Sequence, residues 1–198
     1  MQTKGKNRVK IILKSGKDEA VRRFHPWIFS GAVKKIEGVV FDGDIVEVYS
    51  NNGEFLGIGH YQDGSIMVRI ISFNQQNIDA QFWIDKIQNA YELRQNINLQ
   101  NTNAFRLINA EGDGLPGLII DYFDHNIVIQ CHSVGMFLNR ENITQALKTV
   151  FKDKLKAIYD KSAENIVAKY PEETNCYLYG EKTDSTVIVE NHNKFFVD

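Results

Sequence analysis

The sequence has little cysteine and no long apolar run, and both absences exclude whole classes of protein. Its 198 residues include two cysteines, Cys131 and Cys176, whose separation matches no metal-binding or redox motif. Such sparse cysteine is typical of a reducing cytosol, so we expect a cytoplasmic protein. No apolar run approaches the roughly 20 residues of a membrane span, and residues 1–10 are polar and basic, without the apolar region of a signal peptide. We therefore expect no membrane partner.

Patterns of metal ligands or of a nucleophile are also missing. The five histidines do not fall at H-x-x-x-H spacing, and no C-x-x-C occurs, which predicts that the chain holds no metal. Cys131 and His132 are adjacent, but neighbouring residues of a strand point to opposite faces. Cys131 is therefore expected to be a small buried apolar residue rather than a nucleophile.

Charge is distributed unevenly along the chain. Residues 1–40 contain ten Lys and Arg against three acidic residues, a net charge of +7, whereas residues 41–198 carry −9. A basic end of this kind predicts a surface for a polyanion such as RNA. A merely solvated basic face explains the charge equally well, and both interpretations stay open on charge alone. The overall net charge of −2 argues against a general nucleic-acid binder.

The first third of the chain is rich in β-strand signals. Residues 8–73 contain several short apolar or alternating segments, and Asn52-Gly53 between two of them is a strong hairpin signal. A single short helix is predicted within residues 17–24, before Pro26. These features predict a small, mostly β barrel.

Composition and periodicity change after the polar segment 73–80. A helix is predicted to begin at the N-cap Asp79, with Trp83, Ile84, Ile87, Tyr91 and Ile97 near helical spacing. The remaining segments predict strands and a second helix, while 163–184 is weakly patterned. The predicted strands are 104–111, 118–123, 126–133 and 156–162, the second helix is 136–151, and a final pair of strands is joined by a turn at His192-Asn193. The order predicts an α+β second domain.

The segment GDGLPG, residues 112–117, matches the G-x-G-x-x-G pattern of dinucleotide-binding loops. In those loops a helix follows at once and its amides face the pyrophosphate. Here the apolar run LIIDYF follows instead, which favours a strand, and Pro116 has no amide hydrogen. We therefore predict a structural connection between two strands, in which the glycines adopt positive φ and the proline stiffens the corner. Asp113 is expected to cap the turn, and presentation of its carboxylate to a ligand is the less favoured role. A nucleotide-binding enzyme that uses this loop is the less favoured alternative. The predicted loop residues are Gly112, Asp113, Gly114, Pro116 and Gly117.

The basic end also carries aromatic residues, within RRFHPWIFSGAVKK at 22–35. Guanidinium and ammonium groups neutralise phosphates, and aromatic faces stack on unpaired bases. We expect Phe24 and Phe29 to be core residues instead, because a small β domain needs large apolar side chains, and Trp27 is left open between the two roles. The predicted RNA-binding residues are Lys14, Lys17, Arg22, Arg23, His25, Trp27, Lys34 and Lys35.

Four segments together resemble one family. RRFHPWIFSGAV, GDIVEVYSNNGEFLGIGHY, RLINAEGDGLPGLIIDYF and IYDKS, in this order, are similar to the bacterial SAM-dependent 23S rRNA cytosine-5 methyltransferases of the large-subunit methyltransferase I type. The resemblance implies an N-terminal PUA domain at residues 1–75, a mostly-β pseudo-barrel. It further implies a small α+β domain at 78–198, of strand-strand-helix-strand-strand type, before a SAM-binding domain. One departure is Lys161, where the family tends to have arginine, and the two are not interchangeable for bidentate contacts.

The resemblance also implies a division of labour. SAM and the nucleophilic cysteine belong to the family's catalytic domain, and neither Cys131 nor Cys176 matches the position of that cysteine. We expect this chain to recognise and position ribosomal RNA, to bind no SAM and to be inactive by itself. A stand-alone PUA-type RNA-binding adaptor is the alternative. A homodimer is also compatible with the sequence.

Overall fold

A computed structural model describes residues 8–97, 101–182 and 186–197. Lys4 and Lys6, which contribute to the predicted basic end, lie outside these described residues. Contacts between Cα atoms divide the chain into two compact units, Met1–Gln76 and Asn77–Asp198, here called the N-terminal unit and the C-terminal unit.

The N-terminal unit is a six-stranded sheet that curls into a half-barrel, as the β-strand signals predict. The strands pair in the order β2-β6-β5-β4-β1-β3, in which β1 and β4 are parallel and the other neighbours are antiparallel. The strands are β1 (Val9–Leu13), β2 (Trp27–Phe29), β3 (Val33–Glu37), β4 (Ile45–Tyr49), β5 (Phe55–Tyr61) and β6 (Ile66–Ser72). The short helix α1 (Glu19–Arg22) lies between β1 and β2.

Alternating side chains explain why these segments form strands around one core. Val46 and Val48 are buried, while the residues between and beside them along β4 are only partly buried. The turn at Asn52-Gly53 joins β4 and β5 as an antiparallel hairpin, with a φ of 83° at Gly53. The predicted hairpin is therefore confirmed.

The C-terminal unit combines a five-stranded sheet with helices and a separate hairpin. The sheet order is β11-β10-β9-β8-β7, and helices α3 and α4 connect the parallel strands β9 and β10, so three strands precede these helices and two follow. Its elements are α2 (Ala80–Asn96), β7 (Ala104–Asn109), β8 (Leu118–Phe123), β9 (Asn126–Cys131), α3 (Val134–Leu138), α4 (Arg140–Phe151), β10 (Ala157–Asp160), α5 (Ala163–Ile166), β11 (Cys176–Tyr179), β12 (Thr186–Glu190) and β13 (Asn193–Val197).

Helix α2 begins as its sequence predicts and ends earlier. The carboxylate of Asp79 accepts a hydrogen bond from the amide of Phe82 at 3.1 Å, which confirms the N-cap. Trp83 and Ile87 are buried, but Ile97 is 61% exposed. The helix ends at Asn96 and Ile97 is its C-cap residue, so the last apolar position of the predicted stretch does not join the buried face.

Two further differences concern the last quarter of the chain. The turn between β12 and β13 lies at Asn191-His192, where φ is 50° and 72°, one residue before the predicted position. The weakly patterned segment 163–184 contains α5 and β11, and its last two residues lie outside the described part of the chain. None of the helices in the described ranges combines the length and the hydropathy that a membrane crossing requires.

Candidate nucleic-acid interface

Three aromatic rings form a row at β2 of the N-terminal unit, an edge strand of its sheet: His25 lies two residues before the strand, and Trp27 and Phe29 are its first and last residues. His25, Trp27 and Phe29 occupy alternate positions, so their side chains share one face of the extended chain. The ring centroids of His25 and Trp27 are 5.8 Å apart, and those of Trp27 and Phe29 are 6.3 Å apart. Neighbouring ring planes are nearly perpendicular, at 85° and 81°. We call these three residues the β2 aromatic row.

The aromatic residues at this edge are more exposed than the sequence predicts. Phe24 is 72% exposed and Phe29 is 50% exposed, so the prediction that both are core residues is wrong. For Phe29 the reason lies in the shortness of β2, in which only the central residue Ile28, paired with Val68 of β6, is buried. Trp27, which the sequence left undecided, is partly exposed.

Phe24 owes its exposure to the way in which α1 ends. The amides of Phe24 and His25 donate to the carbonyls of Val21 and Ala20 at 2.9 and 3.0 Å, the hydrogen-bond pattern of a Schellman motif. This motif requires a left-handed residue, and Phe24 has a φ of 63°. Its ring contacts only the edge of Phe73 among the described aromatic rings, at a centroid distance of 5.2 Å.

Four of the predicted cations keep an uncompensated charge. Lys14 donates to the carbonyl of Gly31 at 2.8 Å, and Lys34 donates to the side-chain oxygen of Asn51 at 2.7 Å, so both ammonium groups bond neutral acceptors. The exposed side chains of Lys17 and Arg23 make no hydrogen bond or ion pair with the described residues. Each of the four charges is therefore available to a phosphate.

Two other predicted cations are paired with acids. Arg22 donates to both carboxylate oxygens of Glu54, at 3.0 and 2.6 Å, and to Asp18 at 2.7 Å. These contacts raise the pKa of Arg22 and lower those of both carboxyl groups. Lys35 pairs with Glu37 at 2.9 Å. Local acids balance the charges of Arg22 and Lys35, which separates these two residues from the other four.

The glycine-rich loop 112–117 of the C-terminal unit connects β7 and β8, which are antiparallel. Arg94 of α2 donates to the two oxygens of Asp113 at 2.5 and 2.7 Å, and the amide of Asn109 donates to the same carboxylate at 2.6 Å. Both ionic side chains are nearly buried, with 13% and 7% exposure. Asp113 thus holds the loop to α2 by a bidentate ion pair.

The backbone of this loop does not suit a nucleotide phosphate. The amides of Gly114 and Leu115 donate within the loop, to the carbonyls of Glu111 and Ala110 at 3.0 Å each, and Pro116 has no amide hydrogen. A strand rather than a helix follows. These residues do not fit the pyrophosphate of a dinucleotide or an anionic group of SAM.

The three glycines of the loop differ from one another. Gly114 and Gly117 have φ angles of 66° and 81°, and a Cβ on Gly117 would lie 2.9 Å from the hydroxyl of Ser133. Gly112 is not among the residues with positive φ, and a Cβ placed on it would lie 3.6 Å from the side-chain nitrogen of Asn109, an ordinary contact distance. The prediction of positive φ is therefore wrong for Gly112.

Among the described residues of the C-terminal unit, the sulfur and carboxyl groups do not form a nucleophilic site. Cys131 is fully buried, which confirms the expectation, and burial raises the pKa of its thiol to about 12. Burial also raises the pKa of Asp160, which bonds the hydroxyl of Ser162. Cys176 is exposed on β11. Within the described residues, no three His, Cys, Asp or Glu side chains are arranged to hold a metal ion.

Comparison with known proteins defines the class of the N-terminal unit. Residues 11–73 match the family model of the PUA-like domain, and this range covers five of the six strands and most of the first. The chain is therefore an α+β protein with a PUA-like domain at its N-terminal end, as its sequence predicts.

Similarity to particular proteins extends along nearly the whole chain. It is 37% identical over 193 residues to ribosomal RNA large subunit methyltransferase I of Aeromonas salmonicida, and 35% identical over 192 residues to that of Vibrio parahaemolyticus. Each alignment covers 95% of this chain and 48% of the relative. The chain thus spans about half the length of these relatives, and the resemblance to the rRNA large-subunit methyltransferases is confirmed at this level.

Solved structures support the fold of the chain. The structure of "a putative SAM-dependent methyltransferase from Streptococcus mutans" superposes with a TM-score of 0.76 and 21% identity, over 94% of this chain and 47% of that one. The structure of "a putative methyltransferase complexed with SAH" superposes with a TM-score of 0.77, also at 21% identity. At this identity the likeness concerns the fold alone.

Proposed function

We propose that this chain is the RNA-recognition and substrate-positioning part of a SAM-dependent 23S rRNA cytosine-5 methyltransferase. The observation that carries the proposal is the 37% identity to an rRNA large-subunit methyltransferase across 95% of the chain. The PUA-like domain and its four uncompensated cations, Lys14, Lys17, Arg23 and Lys34, support ribosomal RNA as the partner. In this proposal the protein acts in the cytoplasm.

The proposal assigns methyl transfer to residues outside this sequence. When bound, SAM would supply the methyl group, and a cysteine thiolate would add to the cytosine ring. The buried Cys131 and the internally bonded loop 112–117 support a role in positioning rather than catalysis. We expect the 198-residue chain to transfer no labelled methyl group from SAM to rRNA. Methyl transfer by this chain alone would contradict that assignment.

The basic surface can be tested by the salt dependence of RNA binding. Each phosphate contact contributes about −0.9 to the slope of log K against log salt for a duplex, and about −0.7 for a single strand. We expect Arg23→Ala to reduce the magnitude of the slope by roughly this amount. The matched control is Arg22→Ala, because the adjacent Arg22 is already bound to Glu54 and Asp18. It is expected to leave the slope unchanged, even if the altered net charge weakens affinity.

The measurement is titration of a 23S rRNA transcript with the chain at several salt concentrations. An unchanged slope in the double variant Lys17→Ala/Arg23→Ala would remove this surface from the proposal. A stand-alone RNA-binding adaptor is the second candidate, favoured by the PUA-like domain taken alone. Joining the chain to the remaining half of a relative and measuring rRNA methylation distinguishes the two, since an adaptor would not restore activity.

A further inference from the structure

We infer that the β2 aromatic row, His25, Trp27 and Phe29, is a stacking platform for unpaired nucleotides of the RNA. The inference rests on the proposed function and names the form of RNA that this edge of the domain accepts. Bases stack on aromatic side chains in proteins that bind single strands, because every base has a π face.

Exposed aromatic rings favour unpaired bases over a duplex. In a duplex each base is stacked on its neighbours, so its faces are closed to a ring of the protein. RNA-binding proteins accordingly stack aromatic side chains on the bases of single-stranded segments, which can be splayed apart. The exposed rings of His25 and Phe29 therefore suit a single strand.

The exposure of two of the rings leaves aromatic surface open to a base. His25 and Phe29 are exposed, and because neighbouring rings of the row meet edge to face rather than stacked, each contact occupies only one ring face. Phe29 is half exposed, and such apolar surface at the edge of a small domain is typical of a binding site when it is contiguous.

Cations at both ends of the row suit the phosphates of the same strand. Arg23 precedes His25 by two residues, and its side chain has no acidic partner among the described residues. At the other end, the ammonium of Lys14 bonds the carbonyl of Gly31, two residues after Phe29. Positive charge flanking aromatic rings matches a polyanion with bases, and it favours RNA over an apolar partner protein.

Tryptophan fluorescence can report directly on this platform. The chain has two tryptophans, and Trp83 is buried in the C-terminal unit at 1% exposure. In a Trp83→Phe background, Trp27 is the single tryptophan, and a base stacked on it is expected to quench its emission. The probes are a short polyuridine strand and the duplex of that strand with polyadenosine. We expect quenching and tighter binding with the single strand.

A conservative substitution tests the aromatic contribution separately from charge. Phe29→Leu keeps an apolar side chain but removes the ring, and we expect it to weaken polyuridine binding about tenfold without changing the salt slope. Phe41→Leu is the matched control, since Phe41 is also exposed, at 69%, in the same unit but outside the row. This control is expected to bind as the parent chain does.

The outcomes separate the platform from the proposed function. Equal binding of duplex and single strand, or unchanged affinity of Phe29→Leu, overturns the platform, while a salt slope reduced by Arg23→Ala would still support RNA binding. Absence of binding to any RNA overturns both. Conversion of a dimer to a monomer by Phe29→Leu, seen by sedimentation, would assign the row to an interface between two copies and also overturn the platform.

Discussion

The β2 aromatic row with its neighbouring cations and the loop 112–117 both carry groups that can bind ligands, but those groups have different partners. The row belongs to the N-terminal unit and the loop to the C-terminal unit. Beside the row, Lys14 donates to a neutral carbonyl and Arg23 has no acidic partner among the described residues, while the rings of His25 and Phe29 are exposed. In the loop, the carboxylate of Asp113 is paired with Arg94, and the amides of Gly114 and Leu115 donate to carbonyls of the loop itself.

This difference shows that a motif is less informative than the state of its polar groups. The loop matches a known cofactor pattern, yet the amides of Gly114 and Leu115 and the carboxylate of Asp113 are bonded inside the unit. The row matches no such pattern, yet His25 and Phe29 are exposed, and the nearby Lys14 and Arg23 have no acidic partner among the described residues. Buried and satisfied groups contribute to stability, whereas exposed groups without local partners are candidates for binding.

The largest expected effect concerns the loop. Arg94→Ala would leave the carboxylate of Asp113 nearly buried without its bidentate partner, and we expect a loss of about 3 to 4 kcal/mol in the free energy of unfolding of the C-terminal unit. The measurement is urea unfolding followed by Trp83 fluorescence in a Trp27→Phe background. RNA affinity at the N-terminal unit should be unchanged.

Arg106→Ala is the control for this substitution. The Arg106–Asp121 pair has a similar bond length of 2.9 Å, but its arginine is 48% exposed. Exposed ion pairs contribute at most about 1 kcal/mol, so the two arginines should differ by severalfold. Equal losses would show that the burial of the Arg94–Asp113 pair has no energetic consequence.

Local sequence patterns predicted the elements that depend on near neighbours. Alternation of apolar residues located β4, the Asn52-Gly53 pair located the hairpin, and the short polar side chain of Asp79 located the start of α2. Each of these signals acts through residues within a few positions of one another. The absence of a helix after the loop 112–117 was predictable for the same reason.

Features that depend on distant partners were not predictable in this way. The two arginines at 22 and 23 are adjacent in the sequence, but only Arg22 meets Glu54, 32 residues away. The exposure of Phe29 depends on β2 having a pairing partner on one side only, and the φ of Gly112 depends on the path of the loop. Edge position and long-range pairing are properties of the folded chain.

Lowering the pH should change the stability of the two units in opposite directions, because each buries a titratable group of a different kind. Burial, with a smaller effect of Arg69, lowers the pKa of His60 in the N-terminal unit to about 4. Between pH 6.5 and 4, His60 binds a proton in the unfolded chain but not in the folded chain. The free energy of unfolding therefore has its full value above about pH 6.5 and decreases as pH falls below it. The expected loss is about 2 kcal/mol by pH 5.

For Asp160 in the C-terminal unit, the free energy of unfolding is expected to change with pH in the opposite direction. Burial raises the pKa of its carboxyl group, so its contribution to stability is present at low pH and is lost as pH rises through the folded pKa. Urea unfolding at pH 7 and pH 5, monitored by Trp27 or Trp83 in single-tryptophan variants, measures each unit. An NMR titration that shows His60 protonating near pH 6.5 in the folded chain would contradict the prediction.

The smallest expected effect concerns Phe24, which precedes the β2 aromatic row. Phe24 holds a left-handed φ of 63°, which costs a residue with a Cβ about 1 kcal/mol, and its ring is largely exposed. Phe24→Gly should therefore stabilise the N-terminal unit by about 0.5 kcal/mol, after the loss of the edge contact with Phe73. Phe41→Gly, at an equally exposed position without positive φ, should instead destabilise it by a similar amount, because glycine there only increases the entropy of the unfolded chain. Urea unfolding followed by Trp27 fluorescence measures both variants, and the same sign for the two would show that the backbone of Phe24 is not strained. Opposite signs would mean that the domain keeps an exposed aromatic ring at this edge at a cost in stability, which is expected of a surface that serves binding.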